Sequence, residues 1–109
     1  MRAAVYSFSL RGAELSKKVG EFLHNLGYEV QVETLPKYAE EAKLPVMVGN
    51  HYQVTEEAFK NCQAIVYVGS VGIAVRSIAP FLKSKLVDPA IISVDERGNF
   101  KYVGRNDDV

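Results

Sequence analysis

Short apolar blocks alternate with amphipathic ones along this chain. Arg2–Ser9 (RAAVYSFS) clusters apolar residues with no breaker and predicts a first strand. Leu10–Gly12 reads as a turn. Ala13–Leu26 follows a helical period, with Leu15, Val19, Phe22, Leu23 and Leu26 on one stripe and Lys17, Lys18, Glu21 and His24 opposite. Gly27 then closes the helix. Tyr28–Thr34 (YEVQVET) alternates strictly, the pattern of a half-exposed edge strand. Leu35–Thr55, with two prolines and a Gly-Asn turn, predicts a long connection holding at most one helical turn. Thr55–Asn61 reads as a short helix capped by Thr55. Gln63–Val68 is apolar without alternation, as in a strand buried on both faces. Val71–Lys83 is the next helix. Its apolar stripe is read as Val71, Ala74, Val75, Ile78, Ala79 and Leu82, its outer side as Ile73, Arg76, Ser77 and Pro80. A kink or early stop is expected at Pro80. Asp88-Pro89 turns the chain into a buried strand, Ala90–Val94, and Asp95–Asn99 turns it again toward a short last strand, Phe100–Val103.

Strands alternating with helices, two of the strands apolar throughout, predict an α/β fold. The expected architecture is a three-layer α/β/α sandwich on a largely parallel, flavodoxin-like sheet of four to five strands, with the Ala64 strand near the centre. Ligands of such sheets sit beyond the C-terminal strand ends. Ser7–Arg11, Gly69–Gly72 and Asp95–Glu96 all fall on that rim.

Composition narrows the classes. A chain of 109 residues with 48% hydrophobic content predicts a single domain, residues 1–109. Thirteen basic and thirteen acidic side chains cancel, which argues against a nucleic-acid partner. The sequence shows no apolar run long enough to span a bilayer. The one cysteine, Cys62, reads as a small buried hydrophobe at a strand start, and its isolation predicts a reducing, cytoplasmic location.

The chemistry concentrates after the Ala64 strand. The turn Gly69, Ser70, Val71, Gly72 and Ile73 presents backbone N–H groups at a helix N-terminus, suited to a phosphate or carboxylate. The glycines also suit a plain tight turn, and GSVG is no dinucleotide or P-loop fingerprint. Arg76 is the only charge between Ala64 and Leu82. It reads either as a solvated cation or as a bidentate carboxylate clamp. Ile73 and Pro80 are expected to form an apolar ledge for a flat ligand or a partner domain, and with Phe81 an interface if the chain is an interaction domain. Asp95 and Glu96, at a strand end, read either as general acid–base groups or, the favoured reading, as ordinary turn residues. His51 lies in the long connection without a second His or Cys beside it, so no metal site is expected.

The stretch VGSVGIAVRSIAPFLKSKLVDPAIISVDERGNF, Val68–Phe100, together with LRGAELSKKV after the first strand, resembles the cobalamin-biosynthesis protein family CbiG, the cobalt-precorrin-5A hydrolases. The resemblance implies anaerobic cobalamin synthesis. It implies opening of the δ-lactone of cobalt-precorrin-5A by water, with release of acetaldehyde. The implied ligand is an anionic tetrapyrrole fringed with acetates and propionates. Cobalt arrives with that substrate, so no cofactor of the protein's own is implied. Asp95, Glu96 or His51 would activate the water, and the turn amides would stabilise the oxyanion. The family continues beyond the last strand into a Ser-Gly-His-x-Gly-Gly-Ala-Asn type segment, where this chain reads KYVGRNDDV. Two alternatives to the hydrolase therefore stand beside it: a non-catalytic binding domain for an anionic tetrapyrrole, and an interaction domain. A homodimer or an association with other corrin-pathway proteins is compatible with either.

Overall fold

The computed structural model describes residues 1–83 and 87–103. Three apolar runs become the middle of one sheet: β1 (Arg2–Ser7), β3 (Ala64–Val68) and β4 (Ala90–Val94). β2 (Glu29–Thr34) and β5 (Phe100–Tyr102) flank them in the order β2-β1-β3-β4-β5. The first four strands are parallel and β5 is antiparallel to β4. This is the expected flavodoxin-like order. Every residue of β3 is buried, and the alternating β2 lies on an edge, as their patterns predict.

Helix α1 (Leu10–Asn25) covers one face with Leu15, Val19 and Leu23, over Ala3, Val5, Val66 and Val94. Helices α3 (His51–Asn61) and α4 (Val71–Ile78) cover the other with Val54, Ala58, Ala74 and Ile78, over Tyr6, Ile65, Tyr67 and Ile91. These are the three layers. Beside α1 the sheet stays partly open: Leu15, Val19, Phe22, Ile92 and Phe100 line an apolar groove of about 360 Å³.

Several boundaries differ from the sequence expectation. Leu10–Gly12 is the first turn of α1, because the Ser9 hydroxyl caps the Gly12 N–H at 2.9 Å. Phe22 and Leu26, expected on the buried stripe of α1, are exposed. Leu35–Thr55 is no long connection. It holds α2 (Pro36–Ala42), started by Pro36 in the first turn, and the first turn of α3. Asn50 and Gln53 form a reciprocal capping box there, so α3 begins at His51. Thr55, expected as a cap, is instead buried inside α3.

Helix α4 is rotated relative to its expected wheel. Ala74, Ser77 and Ile78 are buried and Ile73 packs against the core, whereas Val71 and Val75 are exposed. Ser77 can face inward because its hydroxyl donates to the Ile73 carbonyl at 2.6 Å, which hides its polarity. The expected Ile73 ledge is therefore absent. Phe81 packs on Phe59, with ring centroids 5.9 Å apart. The helix stops at Ile78 and a 3₁₀ turn, Ala79–Phe81, carries Pro80, as a proline at that point demands.

Candidate functional site

In a parallel sheet each helix starts where a strand ends, so helix N-termini gather on one rim. Here α1 and α4 start beside each other, at the ends of the neighbouring strands β1 and β3. Phe8 lies between them, its ring carbon 3.7 Å from where a Cβ on Gly69 would stand. The chain leaves β1 toward β2 on one side and β3 toward β4 on the other. This is the switch point at which open α/β sheets hold ligands.

At α4 the Ser70 hydroxyl accepts from the Ile73 N–H at 3.3 Å. That spends one first-turn amide on the cap and leaves Val71 and Gly72 as the helix's leading amides. Arg76, one turn on, folds its guanidinium back toward this end. Its Nη1 lies 3.1 Å from the place a Cβ on Gly72 would take. A larger residue at Gly72 would push the guanidinium away. The helix dipole and the Arg76 charge thus converge on one exposed spot, the arrangement that binds a carboxylate or phosphate.

The Gly69 N–H donates to the Val94 carbonyl at 2.7 Å, which sets the β4–β5 turn beside this rim. Within that turn the Asp95 carboxylate accepts from the backbone N–H groups of Arg97 (2.9 Å) and Asn99 (3.0 Å), and from the Asn99 side-chain amide (3.2 Å). These bonds, the Asn99 backbone donor foremost, hold its carboxyl below the usual range. Asp95 is an ionised turn residue with its oxygens committed. Glu96 reaches across instead and accepts a hydrogen bond from the Ser9 hydroxyl at the start of α1.

His51 opens α3, and its Nδ1 lies 2.6 Å from the Ser77 Oγ. The single Ser77 proton goes to the Ile73 carbonyl. With that proton on the carbonyl, Nδ1 is the donor to the Ser77 oxygen, and Nε2 is left without a partner among the hydrogen bonds of this cluster. Ser77, the neighbour of Arg76, thus ties His51 to α4.

The structure accordingly brings Gly69, Ser70, Val71, Gly72 and Arg76 together at one helix start, with Glu96 at the adjacent one. Ile73 contributes its amide to the cap and its side chain to the core. Sequence reasoning missed Ser9 and Ser77 as the partners of Glu96 and His51. Among the described residues, no group of three His, Cys, Asp or Glu side chains could hold a metal ion.

Comparison with known proteins agrees with this region. Residues 53–102 match the family model described as Cobalamin synthesis G N-terminal. The cobalt-precorrin-5A hydrolase of Salmonella typhimurium (strain LT2) is 32% identical over 95 residues, 87% of this chain and 25% of that protein. The Priestia megaterium cobalt-precorrin-5A hydrolase is 24% identical over the same share of each. A crystal structure of a cobalamin biosynthesis protein G homolog from Sulfolobus solfataricus superimposes with a TM-score of 0.66 at 26% identity, over 90% of this chain and 27% of that one. The chain spans about a quarter of the length of these relatives. The resemblance read from Val68–Phe100 is borne out.

Proposed function

We propose that this chain, a relative of the N-terminal region of the CbiG proteins, binds the carboxylate fringe of a tetrapyrrole during cobalt-precorrin-5A hydrolysis in anaerobic cobalamin synthesis. The observation that carries this reading is the α4 start, where the leading Val71 and Gly72 amides and the returned Arg76 guanidinium share one exposed spot. A substrate acetate or propionate there would be held by two N–H groups and a planar cation. Its macrocycle would lie across the rim toward Glu96 and the β4–β5 turn.

In the reaction, water adds to the lactone carbonyl and the acyl C–O bond breaks, giving a carboxylate and a free alcohol. The alcohol then loses its proton and leaves as acetaldehyde while its C–C bond to the macrocycle breaks, the electron pair and a proton staying with the ring. Glu96 and His51 Nε2 are the groups here with an acceptor free to take the water's proton. Turn amides would stabilise the transient oxyanion. A second reading, a binding region without turnover, is favoured by Asp95, whose oxygens are spent on its own turn. In either reading residues 1–109 act as one domain. Its cytoplasmic setting suits the buried thiol of Cys62, which burial pushes upward in pKa. No helix among the described residues is long and apolar enough to cross a membrane.

The test is binding of cobalt-precorrin-5A to wild type and Arg76→Ala, with acetaldehyde followed in the same samples. Saturable binding weakened by Arg76→Ala supports the site, and acetaldehyde decides between hydrolase and binding region. Equal binding by both proteins removes Arg76 from it.

A further inference from the structure

The start of α1 carries a feature that the α4 site does not explain. Ser7 ends β1 on the face shared with Ala3 and Val5, beneath the first turn of α1. Its side chain is fully buried, and its Oγ has no hydrogen-bond partner among the described residues. A buried hydroxyl without a partner costs about 1–3 kcal/mol. The neighbouring residues hold this position tightly. The Ser7 carbonyl accepts from the buried Thr34 hydroxyl at 3.2 Å. Gly12 sits over it: a Cβ there would stand 3.6 Å from the Ser7 Cβ, 3.2 Å from the Val68 carbonyl oxygen and 3.0 Å from the Ser9 Oγ. Only glycine lets α1 begin this low over β1 and β3. The result is an unspent donor buried beneath the first turn of a sixteen-residue helix, at its positive end.

That end already holds a carboxylate. Glu96 arrives from the β4–β5 turn, 87 residues away, and rests on the Ser9 hydroxyl. Both Ser9 and Glu96 are at the surface, where a glutamate side chain exchanges freely between rotamers.

We propose that the α1 N-terminus is a second carboxylate site, in which a ligand carboxylate displaces Glu96 from Ser9 and takes the leading α1 amides and the Ser7 hydroxyl as donors. The inference rests on the reading of α4 as the first such site. The two helix starts flank Phe8 at adjacent strand ends, so one polycarboxylate macrocycle bridges them with two of its side arms. A monocarboxylate of the same ring size gains only one.

The 109-residue chain is titrated with uroporphyrin, an octacarboxylate macrocycle, and binding is read by porphyrin fluorescence. Ser7→Ala removes one hydrogen bond to a charged group, so affinity falls about tenfold or more. Its thermal midpoint stays level or rises, because the lost hydroxyl had no partner in the free protein. Glu96→Gln weakens the internal competitor and tightens binding severalfold; this exposed substitution leaves the fold intact, so it answers even if Ser7→Ala unfolds. Wild-type affinity in Ser7→Ala, or unchanged affinity in Glu96→Gln, overturns the second site. If Arg76→Ala still weakens binding in that case, the α4 site stands alone. Loss of affinity in Ser7→Ala with none in Arg76→Ala supports the α1 site and overturns the α4 one. No saturable binding by wild type overturns both.

Discussion

On the face of the sheet under α3 and α4, two tyrosines stand side by side, Tyr6 and Tyr67, with ring centroids 5.9 Å apart. Each is anchored to α3: the Tyr6 hydroxyl donates to the Val54 carbonyl at 3.2 Å, and Tyr67 shares a short hydrogen bond with Thr55. On the face under α1, β1, β3 and β4 offer Ala3, Val5, Ala64, Val66 and Val94, and among the described residues no side-chain hydrogen bond ties helix to strand there. The first face is specified by directed bonds, the second by shape. Shape explains how α1 can ride close to the sheet while part of that face stays open as the apolar groove beside Phe22 and Phe100.

The largest break in this contrast is Tyr67→Ala. Truncating a fully buried aromatic leaves a cavity and strands the Thr55 hydroxyl, so urea unfolding should show a loss of about 3–5 kcal/mol. Tyr67→Phe keeps the ring and should lose about 1–3 kcal/mol, the cost of the unpaired Thr55 hydroxyl. A loss near zero in Tyr67→Phe would mean that the directed bond contributes nothing.

The shape-built face breaks at Gly20. A Cβ there would stand 2.6 Å from a methyl of Val32, so Gly20→Ala forces α1 off β2. The expected loss is about 1–3 kcal/mol, despite the better helix propensity of alanine. Combining it with Val32→Ala should cost less than the sum of the two, measured as a double-mutant cycle.

The directed face also has a pH signature. Burial foremost pushes both tyrosine hydroxyls well above their usual value. Above pH about 10 the unfolded chain loses those protons while the folded chain keeps them. Stability should therefore be full below that pH and fall as pH rises beyond it. Tyr6→Phe should flatten this alkaline slope in pH-dependent unfolding, and an unchanged slope would count against the burial argument. The smallest effect is expected from Ser7→Ala, at or slightly above wild-type stability by calorimetry.

Much of the fold was legible because strands such as AIVYV and AIISV are contiguous apolar runs between turn signals. The expected order of the sheet follows from the crossover rule once those strands are placed. Helix α2 and the first turn of α3 were hidden because their starts are marked by Pro36 and by the Asn50–Gln53 capping box, polar signals within a turn-rich stretch; the rest of α3 was legible as Thr55–Asn61. The α4 face was misread because Ser77 satisfies its hydroxyl on its own helix and so buries like an alanine. The rim itself was visible: Ser7–Arg11, Gly69–Gly72 and Glu96 lie where strand ends must gather. The pairings upon it were not, since Ser9 meets Glu96 and His51 meets Ser77 across 87 and 26 residues, distances that no local pattern encodes.

The central place of β1 has a further consequence, for the order of assembly. Its partner β2 lies 27 residues onward, but its partner β3 lies 61 onward. As the chain leaves the ribosome, β1, α1 and β2 can pair long before β3 appears. During that interval one edge of β1 is exposed, with Ala4 and Tyr6 facing water. The slow step of folding should be closure of that long loop, when the Arg2 N–H meets the Gln63 side chain at 2.7 Å and the second half of the sheet docks.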